Sequence, residues 1–281
     1  MTQSAADRFQ LGAMTIPYAR WSFDRALEGI ARAGLRHVGI SQGSADGPVL
    51  PEAATLSDLR AVRQRIERHG LTPSLMFARR PSGDPAESLR RDVDIVAEMG
   101  IPFLLQIPVS PSPSFSEKRI GEMVWFQRVE AWFRFLVPAI HRAERRGVTI
   151  LLKPHGGIAG TGEDLALIVE RLGSPAVRVI YDPGNVAYYE GVAPEPDLPN
   201  VADLVRAVCI KDHRGGKAVL DFPTPGDGDV DHVSIFRTLA ATGFSGPCLI
   251  ERIDGLQTPE ETDRELARGR ANLEKAISEI G

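Results

Sequence analysis

The sequence predicts an α/β protein of the (β/α)8 TIM-barrel class. Three observations carry that expectation. Short, β-rich apolar runs alternate with long amphipathic stretches, and the pair recurs eight times at about 35 residues per unit. No shift in composition divides the chain, so residues 1–281 read as one domain. No G-x-G-x-x-G follows the first run, which argues against an open, doubly wound dinucleotide-binding sheet and against a nucleotide cofactor. Alternating strands and helices imply a parallel sheet, and eight right-handed units close most economically into a barrel.

Run 11–16 leads to a helix that opens at Ser22, presents Phe23, Ala26, Leu27 and Ile30 on one face, and stops at Gly34. Run 37–40 precedes a helix from about Ser57, carrying Leu59, Val62 and Ile66, to Gly70. Run 73–77 precedes a helix opened by Asp84 and Pro85 and closed by Gly100. After run 103–107 a long helix extends from about Ser116 to Gly147, and run 149–153 leads to one from Thr161 to Gly173. Run 177–181 is followed by a broken helical segment, 186–190 and then 200–206. Run 207–211 leads to a helix from Asp231 to Gly243, and run 247–251 to the last, from Thr258 and Pro259 to Ile280.

A barrel of this kind carries its site at the C-terminal strand ends. The fifth run ends in Lys153-Pro154-His155-Gly156-Gly157, the sixth in Asp182-Pro183-Gly184-Asn185, the seventh in Lys211-Asp212-His213 and the eighth in Glu251-Arg252. The first half is plainer: Ser41, Arg79, Arg80, Gln106 and Pro108. Side chains two apart share a direction, so Lys153 goes with His155, and Cys209 with Lys211. An inward Glu251 turns Cys248 outward, and an inward Cys209 then cannot pair with it. Two carboxylates and two imidazoles suit a hard or borderline divalent ion, Mn²⁺, Mg²⁺ or Zn²⁺, with Asp182, Glu251 and His155 as ligands. The ion-free alternative has Lys153 and Lys211 neutralising Asp182 and Glu251, or a desolvated lysine acting as base or Schiff-base nucleophile.

Composition narrows the field. Hydrophobic residues make up 43% and charged residues 25%, which excludes disorder as the dominant state. A net charge of −4 gives no global attraction to nucleic acid. No apolar run approaches the ~20 residues that span a bilayer. Residues 1–8 are polar and show no signal peptide, and two cysteines make no disulfide framework, which together suit the cytoplasm.

The strand ends resemble those of the xylose-isomerase-like TIM barrels, the sugar phosphate isomerase/epimerase and endonuclease-IV-like superfamily, over nearly the whole chain. The resemblance rests on YDPGN at 181–185, IKDH at 210–213, GDGDVD at 226–231, FSGP at 244–247 and the closing Glu251. It implies one divalent ion held by Glu, Asp, His and Glu after strands five to eight. Asp182 and Glu251 match two of those positions, and His155 matches a second family histidine. Lys153 stands where the first Glu belongs, Cys209 where the His belongs, and Asn185 replaces a frequent His. The resemblance also implies a small sugar substrate. Barrels of this kind often associate, which makes a homo-oligomer a candidate, though no segment announces an interface.

Several signals have bland readings. His37, His69, His141 and His232 read as structural or surface residues. Gly156, Gly157, Gly160 and Gly162 suggest an anion cradle at the Thr161 helix start, or simply a flexible turn. Asp227, Asp229 and Asp231 lack the glycine and glutamate of a calcium loop. Trp125, Phe126, Trp132, Phe133 and Phe135 read as a helix face packed on the barrel. Tyr18, Trp21, Phe77, Tyr188, Tyr189 and Phe222 sit near strand ends where an aromatic ring can stack on a sugar.

The expectation is therefore a sugar isomerase or epimerase that abstracts a proton beside a carbonyl. Glu251, Lys153, Lys211 and His155 are the catalytic candidates; Asn185, Asp212 and His213 are the substrate-binding candidates. The rivals are a dehydratase or lyase using the same site, and a sugar-binding barrel without catalysis. DNA repair is disfavoured by the acidic balance.

Overall fold

The computed structural model describes residues 8–41, 43–81, 83–107 and 121–280. Pro108 and the expected helix start at Ser116 lie outside the described residues. Eight parallel strands form a closed barrel: β1 (Phe9–Met14), β2 (His37–Ile40), β3 (Thr72–Phe77), β4 (Phe103–Gln106), β5 (Thr149–Leu152), β6 (Val177–Tyr181), β7 (Val205–Ile210) and β8 (Gly246–Ile250). They pair in chain order, and β8 closes on β1 with Leu11 beside Cys248.

Around them lie α1 (Phe23–Arg32), α2 (Leu56–Arg68), α3 (Pro85–Glu98), α4 (Glu122–Arg146), α5 (Gly162–Leu172), α6 (Pro183–Glu190), α7 (His232–Ala241) and α8 (Pro259–Ser278). Their boundaries follow local chemistry. Capping boxes at Thr55/Asp58, Thr161/Asp164 and Thr258/Glu261 open α2, α5 and α8 by satisfying amides that have no intrahelical partner. Gly147, Gly173 and Gly191 end α4, α5 and α6 in the left-handed conformation that glycine adopts without strain. The expected second half of the broken helix does not form. Its residues make short 3₁₀ turns, and Val205 and Arg206 already belong to β7, where β-sheet pairing claims the backbone.

Apolar side chains fill two layers. Met14, Leu75, Leu105, Leu151, Ile180, Ala207, Cys209 and Leu249 pack inside the barrel. The larger layer lies between sheet and helices and includes Phe23, Ala26, Leu27 and Ile30 of α1 and Trp132 of α4. Register explains the thiols. Leu249 pairs with Cys209 inside, whereas Cys248 pairs with Val208 on the outer face, and both cysteines are free. No described helix is long and apolar enough to cross a membrane.

Candidate active site

The ends of β5 to β8 bring four charges together. Lys153, one residue past β5, donates to both oxygens of Glu251, at 2.6 Å to Oε1, and lies 2.9 Å from Asp182 Oδ2. Lys211, one residue past β7, lies 2.9 Å from Glu251 Oε2 and 3.2 Å from Asp182 Oδ2, and donates to Asn185 Oδ1 at 2.8 Å. Each ammonium thus directs its three N–H groups at three acceptors. The two positive and two negative charges balance, which is what lets all four be buried. All four are buried: Asp182 and Lys153 are 0% and 1% exposed, Glu251 and Lys211 5% and 6%.

Local backbone chemistry fixes this cluster. Asp182 caps α6, accepting from the Asn185 amide at 2.9 Å through Oδ1, which leaves Oδ2 to the lysines. A Cβ on Gly184 would come within 2.7 Å of the Lys211 carbonyl oxygen, so only glycine lets α6 start against the end of β7. Asn185 is held by its own donation to the Pro154 carbonyl at 2.8 Å. Gly156 and Gly157, both with positive φ, fold the turn in which the His155 amide donates to Ala159 O at 2.8 Å. That turn sets the His155 ring against Tyr189, with Nε2 3.2 Å from the tyrosine Oη.

The electrostatics separate the candidate roles. Burial pushes the Glu251 carboxyl up, but Lys153 and Lys211 outweigh it and hold the group well below the usual carboxylate range. Burial also opposes the Lys153 ammonium, and the negative charge around it (a Cys209 thiolate where one forms, Glu251 and Asp182) more than compensates. The ammonium form of Lys153 is thereby favoured. Burial, then Glu251, raises the Cys209 thiol well above its ordinary value, so it is neutral. Burial, then Lys153 and Lys211, lowers His155 to about 4, so its imidazole is neutral at physiological pH.

Among the described residues, Asp182, Cys209 and Glu251 offer ligand atoms that all lie within 4.8 Å of one another, a potential metal triad. His155 is not one of the converging donors. The arrangement does not fit a divalent ion. The carboxylate oxygens that would hold it already face ammonium nitrogens at 2.5–3.2 Å, their charge is already balanced, and the third donor is a neutral thiol.

Other expected site residues are engaged elsewhere. Asp212 accepts from the amides of His213, Gly226, Gly228 and Val230 and organises the loop after β7. His213 ties the same loop through Nε2 to Val219 O at 2.8 Å. The suggested anion cradle is filled by the protein itself. Asp164 accepts from the Gly160 and Thr161 amides, and Asp197 from Gly162 at 2.8 Å. Arg79 pairs with buried Asp92 at 2.6 Å. Sequence reasoning named Tyr189 only among six aromatic residues near strand ends and did not pair it with His155, although it stands four residues after Asn185 and so on the same helix face. Phe77 lies under Lys153 at 5.9 Å and Phe222 under Lys211 at 5.5 Å, supplying the cation–π walls of the cluster.

Known proteins resemble this chain in sequence or in fold. Inosose dehydratase of Geobacillus kaustophilus (strain HTA426) is 24% identical over 221 residues, 69% of this chain and 71% of that enzyme. A xylose isomerase-like TIM barrel protein from Mycobacterium smegmatis, solved in complex with magnesium, superposes with a TM-score of 0.74 at 14% identity, covering 100% of both chains. D-psicose 3-epimerase from Clostridium cellulolyticum H10, solved with D-tagatose, does so at 0.72 and 13% identity, over 96% of this chain and 99% of that one. At such identities the two structures establish a common fold. A sequence profile of the xylose isomerase-like TIM barrel matches residues 27–273, and the chain belongs to that family.

Proposed function

We propose that the protein isomerises or epimerises a sugar or sugar-derived polyhydroxy carbonyl compound by moving a proton on a carbon beside the carbonyl. The observation that carries this reading is a neutral imidazole, His155, beside a balanced cluster of which Lys211 is the most exposed member. The imidazole takes the proton at Nε2. The C–H electrons flow to the carbonyl oxygen, and the enediolate oxygen accepts from Lys211. The Lys211–Asp182 contact, the longest of the cluster at 3.2 Å, is the one the substrate oxygen replaces. Glu251 is too weak a base under two ammoniums to take a carbon-bound proton, but its oxygens accept from substrate hydroxyls. Lys153, which donates to it, is a positioning residue. Returning the proton to the neighbouring carbon, while the hydroxyl proton passes to the former carbonyl oxygen, gives the isomer; a proton from solvent on the opposite face, with the first released from His155 to solvent, gives the epimer.

A second reading shares the first step. The dehydratase relative favours loss of water from the same enediolate, with a cyclic keto-polyol as substrate. Proton NMR in D₂O on a panel of ketoses and cyclic keto-polyols tests both. Deuterium entering carbon without loss of water supports the isomerase, and an accompanying loss of water supports the dehydratase. The exchange is expected to vanish in Lys211→Met and His155→Gln. Binding without exchange at any carbon, or full exchange in both variants, would refute proton transfer at this site.

A further inference from the structure

The four-charge cluster has a consequence beyond the reaction class. We propose that the centre is built to work without a divalent cation, with the Lys153 ammonium standing in the position between Asp182 and Glu251 that a cation would need. The proposal rests on the functional reading only in treating this cluster as the reaction centre. Its own support is geometric. The Lys153 nitrogen lies 2.6 Å from Glu251 Oε1 and 2.9 Å from Asp182 Oδ2, so it bridges both carboxylates of the potential metal triad. Lys211 bridges the same two carboxylates, at 2.9 and 3.2 Å. A cation entering here would meet two positive charges, with no negative charge left to balance it.

The ring of Phe77 lies against the Lys153 nitrogen at 5.9 Å, and apolar Leu151, Ile180 and Leu249 fill the barrel beside Cys209. Among the described residues the floor of the site is therefore apolar, whereas hard divalent ions take six or more oxygen ligands. Lys211 keeps a second anchor in Asn185, which leaves Lys153 as the ammonium whose three donors all serve the two carboxylates. The inference also separates this chain from its structural relative solved with magnesium, whose fold it shares.

Charge reversal makes the proposal testable. Lys153→Glu leaves one ammonium facing three carboxylates, a net charge of −2 that one divalent ion neutralises. The experiment is metal analysis of the purified full-length protein, followed by Mn²⁺ titration monitored by electron paramagnetic resonance. The wild type is expected to carry substoichiometric metal and to show no saturable Mn²⁺ binding. Lys153→Glu is expected to bind one Mn²⁺ at least about 100-fold more tightly, because affinity follows ligand charge count. Lys153→Gln, which removes the ammonium without adding a carboxylate, covers the case in which the charge reversal prevents folding; its expected readout is a rise in melting temperature with Mn²⁺ that the wild type lacks. One equivalent of tightly held metal in the wild type would overturn the proposal, and so would variants that bind Mn²⁺ no better than it does. Solvent exchange by a metal-loaded wild type would sink this proposal and leave the functional reading standing. A metal-free wild type without exchange on any substrate would do the reverse.

Discussion

Replacing Lys153 with methionine keeps an unbranched side chain, one atom shorter, and removes the ammonium. The balanced cluster then holds two carboxylates against Lys211 alone. Three charge-assisted contacts disappear, two to Glu251 and one to Asp182, at depths where water cannot replace them. Breaking a buried ion pair from one side costs about 3–5 kcal/mol, because the uncompensated charge remains in the interior. For a chain of this length that amounts to a fall of about 10 °C in melting temperature. The assay is urea denaturation followed by circular dichroism, with calorimetry for the melting temperature. A second substitution separates charge from packing. Lys153→Met with Glu251→Gln removes one charge of each sign and leaves Lys211 paired with Asp182. It is expected to lie within about 2 kcal/mol of the wild type, closer than the single variant. A single variant as stable as the wild type, or a double variant less stable than the single, would refute the reasoning that charge balance holds this site together.

Other outcomes follow from the same contacts. His155 has its folded value lowered to about 4 from the ordinary 6.5, so its stabilising contribution is complete above pH 6.5 and is lost as the pH falls towards 4. That loss is about 3 kcal/mol, and the difference in unfolding free energy between wild type and His155→Gln should show it over this window; parallel curves would count against a buried neutral imidazole. Turnover should rise with pH through about 4 as the imidazole loses its proton, and a profile that instead rises near 6.5 would place His155 in water. Asp212→Ala strips four backbone amides of their acceptor and should cost about 3 kcal/mol while exposing residues 214–220 to limited proteolysis; unchanged stability and protection would mean that the loop organises itself.

Most of the barrel was legible because strands and helices alternate with clear caps. Ser22, Asp84, Thr161 and Thr258 open helices as their sequence context implies. Lys153, Asp182, Lys211 and Glu251 could be grouped from sequence because each stands at the C-terminal end of a strand, where β-sheet alternation fixes direction. The hydrogen-bond partners of Asp212 and His213 were hidden because they are backbone groups on the same loop, up to 18 residues away, which side-chain patterns do not report. The pairing of Tyr189 with His155 was hidden for a related reason. Its meeting with His155 depends on how α6 packs across from the turn after β5. Residues 200–206 misled because a short apolar stretch beside a strand carries the same signal as a helix end.

The most direct test is deuterium exchange into a polyhydroxy carbonyl substrate by the wild-type protein in the presence of a strong chelator. The expected result is carbon-bound deuterium at the same rate with and without chelator, abolished in Lys211→Met. Exchange that requires an added divalent ion, or that survives the loss of Lys211, would contradict a reaction centre in which a lysine ammonium receives the developing negative charge.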